Sequence, residues 1–247
     1  MRLLGGPVNS ISSVVHLSML GGFEVTYGSQ RVRLPLGAQR LLALLALGEA
    51  GISRGAAAEE LWPASRRGRA GANLRAALSQ GKTISSVDVI REFDSKLHIV
   101  ESVEVDVGAA TREARAIMDG SESRGGAAAQ ETIRVLSRDL LPAWFDDWLI
   151  VERELWNEVR LHALEALARQ LLESGSSLAA LEAAMAASAI EPVRESPHRL
   201  VMEIYIDEGN AGCALKHYQR YRRLLQRELC ATPSARMHHL VDTLQSI

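Results

Sequence analysis

The stretch PASRRGRAGANLRAALSQGKTISSV, residues Pro63–Val87, decides the fold predicted for the first half of this chain of 247 residues. The proline at its start ends a preceding helix, and a basic, glycine-containing loop follows it. Over Ala70–Ser79 the spacing of Leu74 and Leu78 predicts a helix with one apolar face. The stretch contains arginines and a lysine but no acid. A run of one charge sign is most often a solvated face, so the neighbouring elements must decide its role.

Two further helices are predicted ahead of this stretch. The apolar spacing of Ala38–Glu49 (AQRLLALLALGE) predicts a helix that is largely buried. Gly51-Ile52-Ser53 interrupts the pattern, and Ser53 is a suitable N-cap for a short helix over Arg54–Trp62. The chain therefore contains three consecutive predicted helices, and the basic loop lies directly before the third.

Strands are predicted on both sides of the three helices. Val15–Val25 and Gln30–Leu36 are rich in β-favouring residues and predict a small antiparallel sheet at the start. After the helices, Val87–Ile90 and Lys96–Val100 predict a hairpin, to which the alternating valines at 103, 105 and 107 add a third strand. Strands, three helices and a hairpin, in this order, predict a winged helix-turn-helix whose third helix enters the major groove of DNA. The leading sheet narrows the prediction to the OmpR/PhoB type, over residues 14–106.

From Val107 onward only helical patterns remain. Gly175, Pro192, Gly209 and Pro233 separate them, and breaks about 17 residues apart imply helix pairs of about 34 residues, the period of tetratricopeptide-like arrays. We expect helices at 107–118, 127–138, 149–173, 177–189, 194–208, 211–227 and 233–245. The predicted fold class is therefore mainly α with a small β component, with an all-α, tetratricopeptide-like domain over residues 107–247.

The composition indicates a globular protein without a membrane segment. Hydrophobic residues make up 47% of the chain, and the longest apolar stretch, Leu41–Leu47, is too short to span a bilayer. The N-terminal MRLLGGPVNSISSVV lacks the apolar core and cleavage site of a secretory signal. Cys213 and Cys230 lack metal-ligand spacing, and we expect both to be buried free thiols. These features predict a cytoplasmic protein.

Five motifs, in order along nearly the whole chain from about Leu17 to Leu244, resemble the Streptomyces antibiotic regulatory protein family. They are RAGANLRAAL (Arg69–Leu78), LLPAWFDDWLIVERE (Leu140–Glu154), EPVRESPH (Glu191–His198), EGNAGCALKHYQRYRRLL (Glu208–Leu225) and ELCATPS (Glu228–Ser234). The motifs of the second half are the more specific ones, because their combination is distinctive.

The resemblance implies a transcriptional activator built from a winged helix and a bacterial transcriptional activation domain. Such proteins bind direct repeats of double-stranded promoter DNA and recruit RNA polymerase holoenzyme; the sigma factor, the alpha C-terminal domain and the beta flap are the candidate contacts. They typically activate gene clusters of secondary metabolism, such as antibiotic biosynthesis. Because one weakly basic protomer binds DNA poorly, we expect a homodimer on adjacent repeats. No cofactor is implied.

A DNA-binding surface requires cations near phosphates and hydrogen-bonding side chains near base edges. Asn73 and Arg75 are the candidates for base contacts, since asparagine pairs with adenine and arginine with guanine. Alternatively, Asn73 is a helix-start residue and Arg75 a solvated arginine. His98 is alternatively a neutral strand residue. The candidate DNA-binding residues are Arg66, Arg67, Arg69, Asn73, Arg75, Ser79, Gln80, Lys82, Lys96 and His98.

The end of the third helix departs from the family pattern. It reads Ser79-Gln80-Gly81-Lys82, where the family usually continues with Arg-Leu-Arg. A glycine in a helix interior costs roughly 1 kcal/mol. We therefore expect Gly81 to end or fray the helix early and to weaken DNA binding.

Two clusters in the second half have alternative interpretations. Trp144, Phe145 and Trp148 are expected in the core of the helical domain, with a partner contact as the alternative. The basic residues of Lys216–Arg227 are either solvated surface or a contact to another domain or to polymerase. The candidate partner-binding residues are Arg220, Arg223 and Arg227.

Two functions of different class remain open. The chain is either a DNA-binding activator or a helical scaffold that modulates another regulator after losing specific DNA binding. A small-molecule sensor in the helical domain is compatible with both. We expect no enzyme and no metal site, because Gly81-Lys82-Thr83 lacks the upstream glycine of a nucleotide-binding loop and the adjacent His238 and His239 cannot share a helix face.

Overall fold

The computed structural model describes residues 14–48, 50–121 and 125–245. These residues fold as two units. The first contains the chain up to Ala109 together with Leu140–Glu152, and the second contains Ala110–Asp139 and the chain from Arg153 onward. Two parts of the predictions lie outside the described residues. They are most of the N-terminal stretch that was inspected for a secretory signal, and Glu49 at the end of the first predicted helix.

The predicted elements of the first half are present in order, together with additional short strands that were not predicted. They are β1 (Val15–Ser18), β2 (Glu24–Tyr27), β3 (Gln30–Arg31), α1 (Leu36–Leu47), β4 (Ile52–Ser53), α2 (Arg54–Leu61), α3 (Arg67–Gly81), β5 (Thr83–Ile84), β6 (Val87–Asp88), β7 (Ile90–Phe93), β8 (Lys96–Ile99) and β9 (Val103–Val105).

Seven helices make up the rest of the described chain. They are α4 (Asp106–Met118), α5 (Gly126–Leu136), α6 (Leu149–Glu173), α7 (Ser177–Ile190), α8 (Glu195–Asp207), α9 (Ala211–Leu229) and α10 (Ala235–Gln245). Each of the seven helices predicted for this part of the chain is present, and none of their ends differs by more than two residues. The predicted fold class is confirmed: a mainly helical chain in which a small β component belongs to an N-terminal winged helix.

The N-terminal sheet has the strand order β3-β2-β1-β9. Strand β1 pairs antiparallel with β2, where Leu17 lies opposite Val25, and parallel with β9, where Leu17 lies opposite Val105. The valines from residue 103 were expected to extend the hairpin; instead they complete this sheet, while Val107 lies in α4. The local alternation predicts a strand but does not say which sheet it joins.

Helix α3 ends at Gly81, as expected, but every residue before this glycine remains helical. Helix α3 runs through Ser79 and Gln80 to Gly81, which is buried. A Cβ atom at this position would lie 3.2 Å from the Cβ atom of Ala38 in α1. The glycine therefore allows the two helices to approach closely, and their packing offsets its low helix propensity.

The hairpin after α3 has a tighter turn than predicted. Strands β7 and β8 pair as far as Phe93 and Lys96, so that Asp94 and Ser95 alone form the turn, with φ of 50° and 59°. Two residues with positive φ are typical of a hairpin turn whose twist matches that of the strands. A second small hairpin, β5–β6, comes before it and was not predicted.

Asp106 connects the N-terminal sheet to the start of α4. Its carboxylate accepts hydrogen bonds from the backbone N–H groups of Met19 (2.9 and 3.0 Å), Leu20 (3.0 Å) and Val107 (2.7 Å). Burial raises the pKa of this carboxyl group, and the hydrogen bonds from the backbone oppose that shift. Asp106 thereby satisfies N–H groups at the end of β1 and at the first turn of α4.

Successive helices pack on each other in the middle of the second unit. Helix α7 packs on α8, and α8 packs on α9. The buried face of α7 consists of small residues, Ala180, Ala183, Ala184 and Ala187, which allow close approach of the helices. The adjoining core contains Met202, Ala214, Tyr218, Tyr221, Leu225, Met237 and Leu244.

The aromatic cluster before α6 was expected in the core of the helical domain, but it lies outside that core. Trp144 and Trp148 belong to the first unit, where both are partly buried. Phe145 is 91% exposed. The three aromatic residues come before α6, which begins at Leu149, so the core of the helical unit does not include them.

Both cysteines are also placed differently from the expectation. Cys213 and Cys230 are free thiols, but each is exposed. Cys213 lies on the solvent side of α9, and Cys230 ends that helix in the left-handed conformation, with φ of 52°. No helix in the described part of the chain is both long and apolar enough to cross a membrane.

Candidate nucleic-acid interface

Helix α3 presents one face to the core of the first unit and the opposite face to solvent. Its buried residues are Ala70, Leu74, Ala77, Leu78 and Gly81. Since successive residues are about 100° apart around a helix, Ala72, Ala76 and Ser79 lie opposite that face, and all three are exposed. The centre of the solvent face is therefore small, so a flat or grooved surface can approach the helix backbone closely.

Polar side chains border this small-residue face on both sides. Arg69, Asn73 and Gln80 lie along one border, and Arg75 lies along the other. Asn73 is partly buried, whereas Arg69, Arg75 and Gln80 are exposed. Together with Ser79, these four residues make five of the predicted site residues that the structure brings onto the solvent side of one helix.

Three arginines surround the N-terminal end of α3. Arg66 is the N-cap residue, and Arg67 forms an exposed ion pair with Glu59 of α2 at 3.2 Å. Among the described residues, Arg66 and Arg69 have no ion-pair partner. The positive charge at this end is therefore largely uncompensated, and the helix dipole adds to it.

A cleft of about 380 Å³ separates the C-terminal part of α3 from the β7–β8 hairpin. Four cations line it, of which Arg75 and Lys82 come from the end of α3 and were predicted. The other two, Arg54 at the start of α2 and Arg91 on β7, were not. Charge in this cleft is thus contributed by three elements that are separate in sequence.

One carboxylate, that of Glu92, lies among these cations. It pairs with Arg54 at 2.7 Å, and this hydrogen bond lowers the pKa of Glu92 and raises that of Arg54. The positive charge of Lys82 also lowers the pKa of Glu92. Both pair members are exposed, so the pair positions the Arg54 side chain more than it stabilises the fold.

The hairpin places its two predicted residues away from the cleft. The Lys96 ammonium donates to the carbonyl of Ala50 at 3.3 Å. The His98 ring packs over Gly51, where an added Cβ atom would lie 2.2 Å from the ring Cε1. His98 Nε2 is buried and has no hydrogen-bond partner among the residues that the structure describes. The ring of His98 is therefore directed into the first unit. At the tip of the hairpin, the unpredicted Phe93 is 70% exposed.

Three residues of this surface, Arg54, Arg91 and Phe93, were missed in the sequence analysis. No candidate site residue was named in the second helix or in residues 91–95. Arg54 follows the N-cap Ser53, and the first helix of a helix-turn-helix crosses the DNA backbone, so its position was a usable signal. Residues 91–95 were interpreted as a loop. In the structure the strand β7 covers Ile90–Phe93, so that Arg91 and Phe93 belong to the hairpin itself.

In the second unit, the basic residues of α9 lie on its exposed side. Lys216, Arg220, Arg222, Arg223 and Arg227 are all exposed, and Arg227 pairs with Glu228 at 2.7 Å. Among the described residues, no group of three or more histidine, cysteine, aspartate and glutamate side chains is arranged to hold a metal ion.

Comparisons with known proteins identify the family of the second half and the overall fold. The family described as "Bacterial transcriptional activator domain" matches residues 105–245. No curated protein matches the chain. Among solved structures, that of Mycobacterium tuberculosis EmbR in complex with a low-affinity phosphopeptide is similar, with a TM-score of 0.73 and 17% identity. The match covers 94% of this chain and 65% of the EmbR chain. At this identity, the likeness shows the fold alone.

Proposed function

Because the chain belongs to the bacterial transcriptional activator domain family, a family of transcriptional regulators, we propose that it activates transcription by binding promoter DNA through its first unit. The observation that carries the proposal is the solvent face of α3. That face is small at its centre, bordered by Arg69, Asn73, Arg75 and Gln80, and free of acids. This is the composition of a helix that enters the major groove.

In this proposal α3 contacts the base edges. Ala72 and Ala76 allow the helix backbone to approach the floor of the groove, and their methyl groups suit contact with thymine methyls. Asn73 and Arg75 then reach base edges from opposite borders of the face. Gln80, near the end of α3, extends the contact by one helical turn.

The cations around α3 contact phosphates. Arg66, Arg67 and Arg69 approach one backbone strand at the N-terminal end. Arg54, Arg75, Lys82 and Arg91 line the cleft beside the hairpin, which a second strand can enter. Phosphate contacts fix position and affinity but carry no sequence information. We leave His98 out of the interface because its ring faces the first unit.

On promoter DNA we expect two protomers on direct repeats, since the contacts of one protomer are few. Recruitment of RNA polymerase, through the sigma factor, the alpha C-terminal domain or the beta flap, is part of the same proposal. Activation of a secondary-metabolite pathway is its biological consequence. The alternative, a scaffold without specific DNA binding, rested on the altered end of α3, and the helix remains regular as far as Gly81.

The test is a salt titration of binding to the upstream region of the protein's own gene, measured by fluorescence anisotropy. Wild type is compared with Arg75→Ala and with Arg134→Ala, a control arginine that pairs with Glu131 on α5. We expect Arg75→Ala to weaken specific binding by about 1–3 kcal/mol, or roughly 5- to 150-fold, and the control to behave as wild type. Absence of a specific complex at low salt, with wild type and Arg75→Ala alike, contradicts the proposal.

A further inference from the structure

Four cations of α9 form a straight row along the helix. Lys216, Arg220, Arg223 and Arg227 follow each other at intervals of four, three and four residues. At about 100° per residue, these positions fall within a narrow arc of the helix surface, and the row is about 16 Å long. We call these four residues the α9 row.

The packing of α9 directs this row to solvent. The buried residues of the helix are Ala214, Tyr218, Tyr221 and Leu225, which face the core shared with α8 and α10. Their mean direction is opposite to that of the α9 row. The orientation is set by the core and therefore does not depend on the cations themselves.

The charge of the row is largely uncompensated. Glu228 is the single acid on α9, and it pairs with Arg227 at 2.7 Å. Within the described ranges, Lys216, Arg220 and Arg223 have no ion-pair partner.

The neighbours of the row decide which class of partner fits it. Gln219 and Gln226 lie beside the cations and are exposed, and both can donate hydrogen bonds. Leu224, on the other side of the row, is partly buried against the core, so no fully exposed large apolar or aromatic side chain of α9, all of which is described, lies among the cations. The core of a protein–protein interface is depleted of charge and rich in aromatic residues, whereas a phosphate backbone is bound by cations and amides.

We infer that the α9 row is a second DNA-binding surface, which contacts the phosphate backbone of the promoter independently of base sequence. This inference rests on the proposed DNA binding by the first unit, and it adds the second unit as a source of affinity. Each phosphate contact contributes about 0.9 to the slope of log affinity against log salt concentration. Lys216, Arg220 and Arg223 together contribute about 2.7, or about 40-fold between 50 and 200 mM salt.

The test uses the full chain and DNA from upstream of its own gene, together with a scrambled duplex of equal length. The triple variant Lys216→Gln, Arg220→Gln, Arg223→Gln is compared with wild type. Arg222→Gln, set against Arg220→Gln, is the matched control, because Arg222 is exposed on α9 but lies well away from the row. Glutamine has a helix propensity close to that of arginine and lysine, and circular dichroism verifies the fold of each variant.

We expect the triple variant to lose about 2.7 of the salt slope on both duplexes, so that the ratio of specific to non-specific affinity stays unchanged. Arg220→Gln should lose about 0.9, and Arg222→Gln none. Wild-type slopes in the triple variant overturn the inference while leaving the proposed function intact. If the variant binds DNA as wild type does but no longer activates transcription in vitro, the row binds an acidic protein surface and the inference is wrong. Failure of wild type to bind DNA overturns both proposals.

Discussion

Phe23 stacks on Trp144 within the first unit, with ring centroids 5.4 Å apart and ring planes inclined by 24°. The partners come from the start of the chain and from the segment Leu140–Glu152. Leu141 N–H donates to the carbonyl of Met19 at 2.9 Å, and Leu140 forms a β-bridge with Leu20. Arg40 of α1 also pairs with Asp146. The winged helix is therefore completed by a segment that lies far beyond its hairpin in sequence.

Trp144→Ala should destabilise the protein by about 2 kcal/mol, because it removes partly buried aromatic surface and the stack on Phe23. A loss of this size lowers the melting temperature by about 4–8 °C. Phe145→Ala is the control, since Phe145 is 91% exposed and its loss should change stability by less than about 0.5 kcal/mol. Equal melting temperatures of the two variants would show that the stack contributes nothing.

Gly51→Ala should destabilise the first unit by about 1–3 kcal/mol. The residue has φ of 65°, and an added Cβ atom would meet the His98 ring at 2.2 Å. Gly55→Ala is the matched control, because an added Cβ atom would meet nothing within 4 Å. Gly55 also lies in α2, where alanine is the better helix former. Urea denaturation of both variants measures the difference. A variant at Gly51 as stable as that at Gly55 contradicts the close packing of His98 on this glycine.

Two histidines in the second unit share a hydrogen bond. His198 Nδ1 and His217 Nε2 lie 2.9 Å apart, and His198 Nε2 lies 2.9 Å from the carbonyl of Pro192. Burial, together with the charges of His198 and Arg220, lowers the pKa of His217 to about 4. Burial also lowers the pKa of His198, against the opposing effect of Glu195. Both rings are therefore neutral at pH 7.

This pair should make the stability of the protein fall as the pH falls from 6.5 to 4. In that window the unfolded chain binds a proton at His217 that the folded chain does not bind, so acid favours unfolding. The contribution is fully present above pH 6.5 and is lost towards pH 4. Melting temperatures across this range measure it. His217→Gln should show a smaller loss, whereas His239→Gln, on an exposed residue, should keep the wild-type profile.

Base contacts and phosphate contacts on α3 should be separable by mutation. Asn73→Ala should reduce discrimination against single base changes by about 1–3 kcal/mol at one position of the site. Arg66→Ala should weaken binding to all sequences alike and reduce the salt slope by about 0.9. Competition binding against a set of single-base variants distinguishes the two effects. A uniform loss in Asn73→Ala would remove this residue from the base-contacting set.

The sequence by itself determined most of the local structure. Helices from α4 to α10 were predicted within two residues of their ends, because apolar spacing and glycine or proline breaks are properties of neighbouring residues. The resemblance to the Streptomyces antibiotic regulatory protein family is confirmed by the family match over residues 105–245. The likeness to EmbR confirms the predicted fold. Arginines and lysine around α3 could likewise be named as candidates, since the acid-free run is visible in the sequence.

Tertiary structure alone decided where these elements go. Gly81 looks like a helix breaker in sequence, but the approach of Ala38 makes a glycine suitable there. Trp144 looks like part of a helical core but packs on Phe23 in the first unit. Arg54 and Arg91 join Lys82 only because three separate elements meet at one cleft. Helix and strand periodicity depends on residues a few positions apart, whereas these contacts depend on which surfaces fit together across the folded chain.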